Sequence, residues 1–208
     1  MLCLCSIKKS IKKNLVCSLT AIFVLWGTLN SRNAMGMVSV WDWVEHTKIL
    51  PSYCKHRSRE GIEGGILYPR LKPIWKHIHH YCAALYGVFK AQVEINPKTK
   101  QEWLNGADDN FHYMAKHCHP EDCVIYPELY TYWGIVLREK GDIKKAVSFF
   151  EKAKRVKPDY AKAYAELADL FISLNKNEKA EEILERGLKK KPSSRRLARM
   201  LRKLRLSH

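Results

Sequence analysis

Motifs that carry chemistry are scarce in this chain. It has no Cys-x-x-Cys pair, no Cys-x-x-Cys-His and no His-Glu-x-x-His, so the local signatures of a zinc site, a covalent haem and a zinc protease are missing. Gly61, Gly64 and Gly65 make a flexible turn, but no Lys-Ser or Lys-Thr follows and no strand precedes it. A phosphate cradle is therefore not expected there. No serine or cysteine stands in a nucleophile motif, and the chain reads as noncatalytic, with no cofactor. The acid pairs Asp108-Asp109 and Glu181-Glu182 have no partner acid at an interpretable spacing and read as solvated surface.

A membrane-spanning apolar run is missing as well. The run from Leu15 to Leu29 holds about 15 residues, where a helical span needs about 20. Lys8, Lys9, Lys12 and Lys13 precede it and Ala34-Met35-Gly36 follows it, the order of a secretory signal with small residues at the cleavage site. Residues 1–36 are expected to be such a signal, cleaved after Gly36, with an uncleaved membrane anchor as the alternative. Cys17 lies at the start of the apolar run and not after it, and so cannot be the lipid-bearing cysteine of a lipoprotein. Cleavage leaves Cys54, Cys82, Cys118 and Cys123, an even number in a compartment that permits disulfides. Cys118 and Cys123 can bridge the turn at Pro120, and Cys54 with Cys82 would tie the stretch 37–70 to the first core helix. Four cysteines allow three pairings, and the sequence alone does not choose among them.

Acid is absent where base is dense. The chain has 208 residues and a formal charge of +16, and the segment from Lys189 to Arg205 contains nine basic residues and no acid. Arg195, Arg196, Arg199, Arg202, Lys203 and Arg205 form the basic patch of the last helix. Such a run suits the soluble end of a helical array, an anionic membrane surface or an acidic protein. It holds no aromatic residue on which a base could stack, which argues against nucleic acid. Histidine is also dense: His77, His79 and His80 precede Cys82, and His112, His117 and His119 surround Cys118. Imidazole with thiolate suits a transition metal, but on a helix His79, His80 and Cys82 point in different directions. Hydrogen bonding at an interhelix contact is the expected role, with no metal bound.

What the chain does have is an internal repeat. Tyr130, Trp133, Gly134, Leu137, Gly141, Ala146, Phe150, Ala153 and Pro158 recur, 34 residues on, as Tyr164, Leu167, Ala168, Phe171, Asn175, Ala180, Leu184, Gly187 and Pro192. Tyr130, Trp133, Gly134 and Leu137 sit at i, i+3, i+4 and i+7, one helix face, and Ala146, Phe150 and Ala153 resume the pattern after a break at Gly141-Asp142. The small residues let two helices approach closely, and each proline closes a unit. This nine-position, 34-residue unit resembles the tetratricopeptide repeat. Two units cannot bury their own faces, so flanking helices are required. Ser193 or Ser194 can cap a last helix from Arg195 to Leu206 whose Leu197, Leu201 and Leu204 cover the end. Upstream, Ile74, Ile78, Cys82, Leu85 and Phe89 form one stripe, and Trp103, Ala107, Phe111 and Met114 form another.

The resemblance implies an all-α fold: a short right-handed tetratricopeptide-type helical solenoid with a degenerate N-terminal helix pair and a C-terminal capping helix. The divisions are 1–36 signal, 37–70 irregular, 71–126 degenerate pair, 127–160 and 161–194 repeats, and 195–208 basic cap and tail. The runs Leu50-Pro51-Ser52-Tyr53-Cys54, Trp75, His79-His80-Tyr81-Cys82, Asp109-Asn110-Phe111-x-Tyr113 and Tyr126-Pro127-Glu128 resemble a group of exported proteobacterial tetratricopeptide proteins without assigned activity. That likeness implies a periplasmic location and a protein-binding role in the bacterial envelope. Family ligands commonly lie along the concave face, here Glu128, Thr131, Ile135 and Arg138, then Lys162, Ala165, Asp169 and Ile172. Members that grip a terminal carboxylate need Lys and Asn at the fifth and ninth positions of one helix. Thr131, Ile135, Ala165 and Asp169 stand there instead, so the groove is expected to take an extended or helical segment. The alternatives are a metal- or haem-handling protein using His79, His80, Cys82, His117, Cys118 and His119, and a peripheral membrane protein held by the basic helix.

Overall fold

The computed structural model describes residues 49–54 and 68–207. The expected signal 1–36, the glycines 61, 64 and 65, and most of the stretch 37–70 lie outside the described residues. Among the described residues the regular structure is helical, without strands. A 3-10 stretch, Pro69–His77, leads into α1 (Ile78–Val93), α2 (Pro97–Ala115), α3 (Tyr126–Glu139), α4 (Ile143–Val156), α5 (Ala161–Ser173), α6 (Asn177–Lys190) and α7 (Arg195–Leu206). Helices pair in chain order, α1 with α2, α3 with α4 and α5 with α6, and α7 closes on α5 and α6. The first helices of successive pairs also touch, α1 with α3, α3 with α5 and α5 with α7. The result is a helical solenoid of three pairs and a cap.

The repeat in the sequence is a repeat in the backbone. Gly141 at φ 84 and Asn175 at φ 56 turn the chain through the left-handed region, which glycine and asparagine enter at least cost. At these turns Asp142 N–H donates to Leu137 O at 2.9 Å, and Lys176 N–H donates to Phe171 O at 2.8 Å. The second helices end alike, with Lys157 N–H on Ala153 O at 3.0 Å and Lys191 N–H on Gly187 O at 2.8 Å. Starts are capped by side chains that satisfy otherwise unpaired amides: Asn96 on Lys98 N–H and Thr99 N–H for α2, Asp142 on Lys145 N–H for α4, and Ser194 on Leu197 N–H for α7.

Between α3 and α4 the close approach depends on Gly134, where a Cβ would lie 2.5 Å from the Phe150 ring. In the second unit Ala168, Ala180 and Leu184 stand at the equivalent repeat positions, and all three are fully buried. The first pair uses Gly87 against Ala107, but with longer arms: α1 has 16 residues and α2 has 19, against 14 in each of α3 and α4. The degeneracy upstream is thus a change of helix length around a conserved type of contact. Leu197, Leu201 and Leu204 are buried beneath α7, so the last helix caps the array.

Two disulfides fix the pairing the sequence leaves open. Cys54 joins Cys82 with Cα atoms 5.6 Å apart, and Cys118 joins Cys123 with Cα atoms 5.0 Å apart. The first ties residues 49–54 to α1, and the second brackets the turn between α2 and α3. The reading of Asp108 as solvated surface is corrected. Its carboxylate accepts Trp133 Nε1–H at 2.7 Å and pairs with Lys140, so it joins α2 to the following pair. A buried indole N–H needs an acceptor, and this acid supplies it.

Candidate partner-binding face

The expected face does not lie open as a whole. Glu128, Arg138, Lys162, Asp169 and Ile172 are half-buried, within reach of solvent. Thr131, Ile135 and Ala165 are buried, at 0%, 4% and 0% exposure, and they are struck from the contact surface. Thr131 Oγ1 donates to Pro127 O at 2.7 Å, which satisfies its hydroxyl inside its own helix. The first helices of successive pairs touch, and these three smaller side chains are covered while the longer Tyr132, Arg138 and Lys162 keep part of their surface.

Glu128 centres a cluster that the sequence did not single out. Burial raises its pKa, and the charges of Lys162 and Lys157 pull the other way. Tyr53, Tyr81 and Tyr160 are all raised, first by burial and next by the Glu128 carboxylate, and Tyr132 adds to each. These groups therefore share one weakly hydrated neighbourhood that joins residues 49–54, α1, α3 and the turn before α5. The hydroxyls of Tyr53 and Tyr81 are buried without a hydrogen-bond partner. They lie close enough to each other and to Glu128 for each group to affect the ionisation of the others. Lys162 Nζ stands 3.7 Å from the centroid of the Tyr132 ring, a cation over an aromatic face. The Cys54–Cys82 disulfide fixes Tyr53 at this end. One tyrosine among ten gives no signal in the sequence, although Glu128 and Tyr132 at i, i+4 share a helix face.

Farther along, charge links three successive first helices. Glu166 of α5 is 93% buried and takes Arg138 of α3 at 3.3 Å and Arg196 of α7 at 2.9 Å. Arg196 also reaches Asp169 at 3.4 Å. Burial and the Glu166 charge raise the Asp169 pKa, with Arg196 and Arg138 opposing. Buried carboxylates need such partners.

The basic patch on α7 is divided, which corrects its reading as one surface. Arg196 turns to Glu166 and Asp169, and Arg205 turns to Glu181 at 2.6 Å and Glu185 at 2.5 Å. Arg195, Arg199, Arg202 and Lys203 remain exposed. The His/Cys cluster is a packing contact: Cys82 and Cys118 lie in different disulfides, so neither offers a thiolate. The His77 and His117 rings stack at 3.7 Å, His77 Nδ1 meets Tyr113 Oη at 3.0 Å, and His80 Nδ1 meets Asn110 Oδ1 at 2.8 Å. Burial first, then the charges of His117, Lys76 and His80, lowers the His77 pKa. Among the described residues no three His, Cys, Asp or Glu side chains converge as a metal would require.

The part of this face that reaches solvent thus carries charged and hydrogen-bonding groups beside Tyr132 and Ile172. No curated protein matches the sequence. Similar solved structures include the first tetratricopeptide domain of Spaghetti (RPAP3) bound to an HSP90 peptide, 23% identical, covering 60% of this chain and 94% of that one, with a TM-score of 0.43. The Sgt2 domain from Aspergillus fumigatus is 17% identical, covering 60% of this chain and 78% of that one, with a TM-score of 0.44. The TPR2B domain of yeast Sti1, in a complex with pHsp70, is 17% identical, covering 59% and 99%, with a TM-score of 0.44. Residues 137–204, from the end of α3 through most of α7, match the tetratricopeptide repeat family.

Proposed function

We propose that this protein is a noncatalytic adaptor of the bacterial envelope that binds a segment of a partner protein along the first helices of its pairs. The observation that carries the reading is the row of half-buried polar, aromatic and aliphatic groups on touching helices, Tyr132 and Arg138 on α3 and Lys162, Asp169 and Ile172 on α5. Each of these groups is held in place by its helix and keeps surface that a partner can still cover. With Thr131, Ile135 and Ala165 buried, the handle is not a terminal carboxylate but the side chains of an extended or helical segment. The location rests on the two disulfides, which persist in oxidising compartments, and on the basic and apolar pattern of residues 1–36. N-terminal sequencing of the protein from cells should give a chain starting at Met37.

A photo-crosslinking residue at Tyr132 tests the binding face, with Glu182 on the opposite side as control. The Tyr132 probe should give one partner adduct that Lys162→Glu with Asp169→Arg abolishes while the helical signal is retained. Equal adducts from Glu182, or an adduct indifferent to the double substitution, would remove the concave face from the account.

A further inference from the structure

We propose that the outward face of α7 is a second docking surface, for anionic lipid headgroups, separate from the concave face. Around this helix the residues sort by direction. Leu197, Leu201 and Leu204 are buried inward. Arg195, Arg199, Arg202 and Leu206 recur at i, i+4, i+7 and i+11, the opposite stripe of the same helix. On the flanks, Arg196 and Arg205 are engaged with acids of α5 and α6. The outward arginines make no ion pair among the described residues, and neither do Lys189, Lys190, Lys191 and Lys203 beside them, all of which are exposed.

A cap needs water-soluble side chains, but it does not need one sign of charge. The exposed side of α6 mixes Glu178, Lys179, Glu182 and Arg186 and is hydrated without self-repulsion. The end of the chain instead concentrates unpaired cations that repel one another, a cost that an anionic counter-surface relieves. Arginine presents a planar fork that matches phosphate oxygens. Leu206 continues the stripe with 81% of its surface exposed, a large apolar group at the position that would enter the headgroup boundary. A polyanion read by stacking finds no aromatic residue here, and an acidic protein gives no reason for the leucine. The leucines that would let the helix insert already cover the solenoid, so binding is superficial. Among the described residues no helix is long and apolar enough to cross a membrane.

The test uses the full chain with vesicles of neutral lipid and vesicles containing an anionic phospholipid, and reads the ratio of the two affinities, so that any apolar anchoring common to both cancels. Arg195→Gln, Arg199→Gln and Arg202→Gln together should lower the ratio on the order of a hundredfold, roughly fivefold per arginine. Lys98→Gln, Lys144→Gln and Lys179→Gln remove equal charge elsewhere and should lower it far less. Leu206→Ser should weaken binding to both vesicle types, and raised salt should erase the difference between parent and arginine variant. The melting temperature of no variant should fall below the parent's. Equal losses from the two triple variants would reduce the effect to net charge and overturn the proposal. So would an arginine variant with the parent's ratio, or a parent that prefers polyglutamate or duplex DNA to anionic vesicles at equal salt. None of these results bears on crosslinking at Tyr132, so the two surfaces stand or fall separately.

Discussion

One methyl group added at two glycines separates packing from helix propensity. Gly134 and Gly106 both lie inside helices, and glycine to alanine in a helix interior stabilises by about 0.5–1 kcal/mol when the space is free. At Gly106 a Cβ meets nothing within 4 Å, so Gly106→Ala should gain that amount. At Gly134 the same atom would lie 2.5, 2.9 and 3.0 Å from three atoms of the Phe150 ring. That ring is fully buried and cannot swing into solvent, so α3 and α4 must separate. Overpacking of this kind costs about 1–3 kcal/mol, which outweighs the propensity gain. The gap between the two variants removes the helix-propensity contribution, leaving a steric cost of about 1–3 kcal/mol. At about 2–4 °C per kcal/mol for a chain of this size, Gly106→Ala should melt slightly above the parent and Gly134→Ala should melt below it. Gly134→Leu should be worse, and Ala180→Leu should fail in the same way between α5 and α6. Thermal unfolding followed by circular dichroism at 222 nm is sufficient. Gly134→Ala and Gly106→Ala rising together would refute the packing of α3 on α4 described above.

The disulfides should differ in worth. Replacing Cys54 and Cys82, 28 residues apart, by serine should cost about 3–4 kcal/mol, and replacing Cys118 and Cys123, 5 residues apart, about 2 kcal/mol, because the longer loop restrains the unfolded chain more; urea titration compares them. Asp108→Ala should cost about 1–3 kcal/mol by leaving the Trp133 indole N–H without its acceptor, whereas Asp108→Asn keeps an acceptor and should cost less. Trp133 fluorescence and urea midpoints report both. Glu128 should make the fold less stable as pH rises. Its pKa is raised in the fold above the usual 4.5, so the folded state holds this proton more tightly than the unfolded chain. Its contribution is then complete below that value and is lost as pH climbs through the folded one. Glu128→Gln should flatten that descent in melting temperature against pH, and an unchanged slope would contradict the burial of this carboxylate.

The sequence made the two full repeats legible because contacts inside a hairpin are close in the chain. Gly134 meets Phe150 16 residues on, and the turns at Gly141 and Asn175 carry the same hydrogen bonds. The cap was legible too, since Ser194 and the leucine spacing of α7 are local. The first pair was visible as apolar stripes but not as a matched unit, because longer helices break the period while keeping the contact of Gly87 with Ala107. The face was the least legible part. Thr131, Ile135 and Ala165 are buried by how successive units stack, a relation that no residue shows in isolation. The partners of Arg196 and Arg205 lie 20 to 30 positions back, so a charge run without acid in its own segment concealed two neutralised arginines. The cluster around Glu128 draws Tyr53, Tyr81, Tyr132 and Tyr160 from four separate parts of the chain, and only folding assembles it.

The two ends of the solenoid are fastened by different chemistry. Both disulfides lie before α3, whereas α7 is held by buried leucines and by Arg196 and Arg205 on its flanks. An array of this kind opens from its ends inward, unit by unit. A thiol reductant therefore loosens the amino-terminal end and leaves the carboxyl-terminal latch in place, while strong salt slackens the latch and leaves the covalent staples intact. Amide exchange would spread inward from opposite ends of the helical array in the two solvents, so the surroundings decide which end yields first.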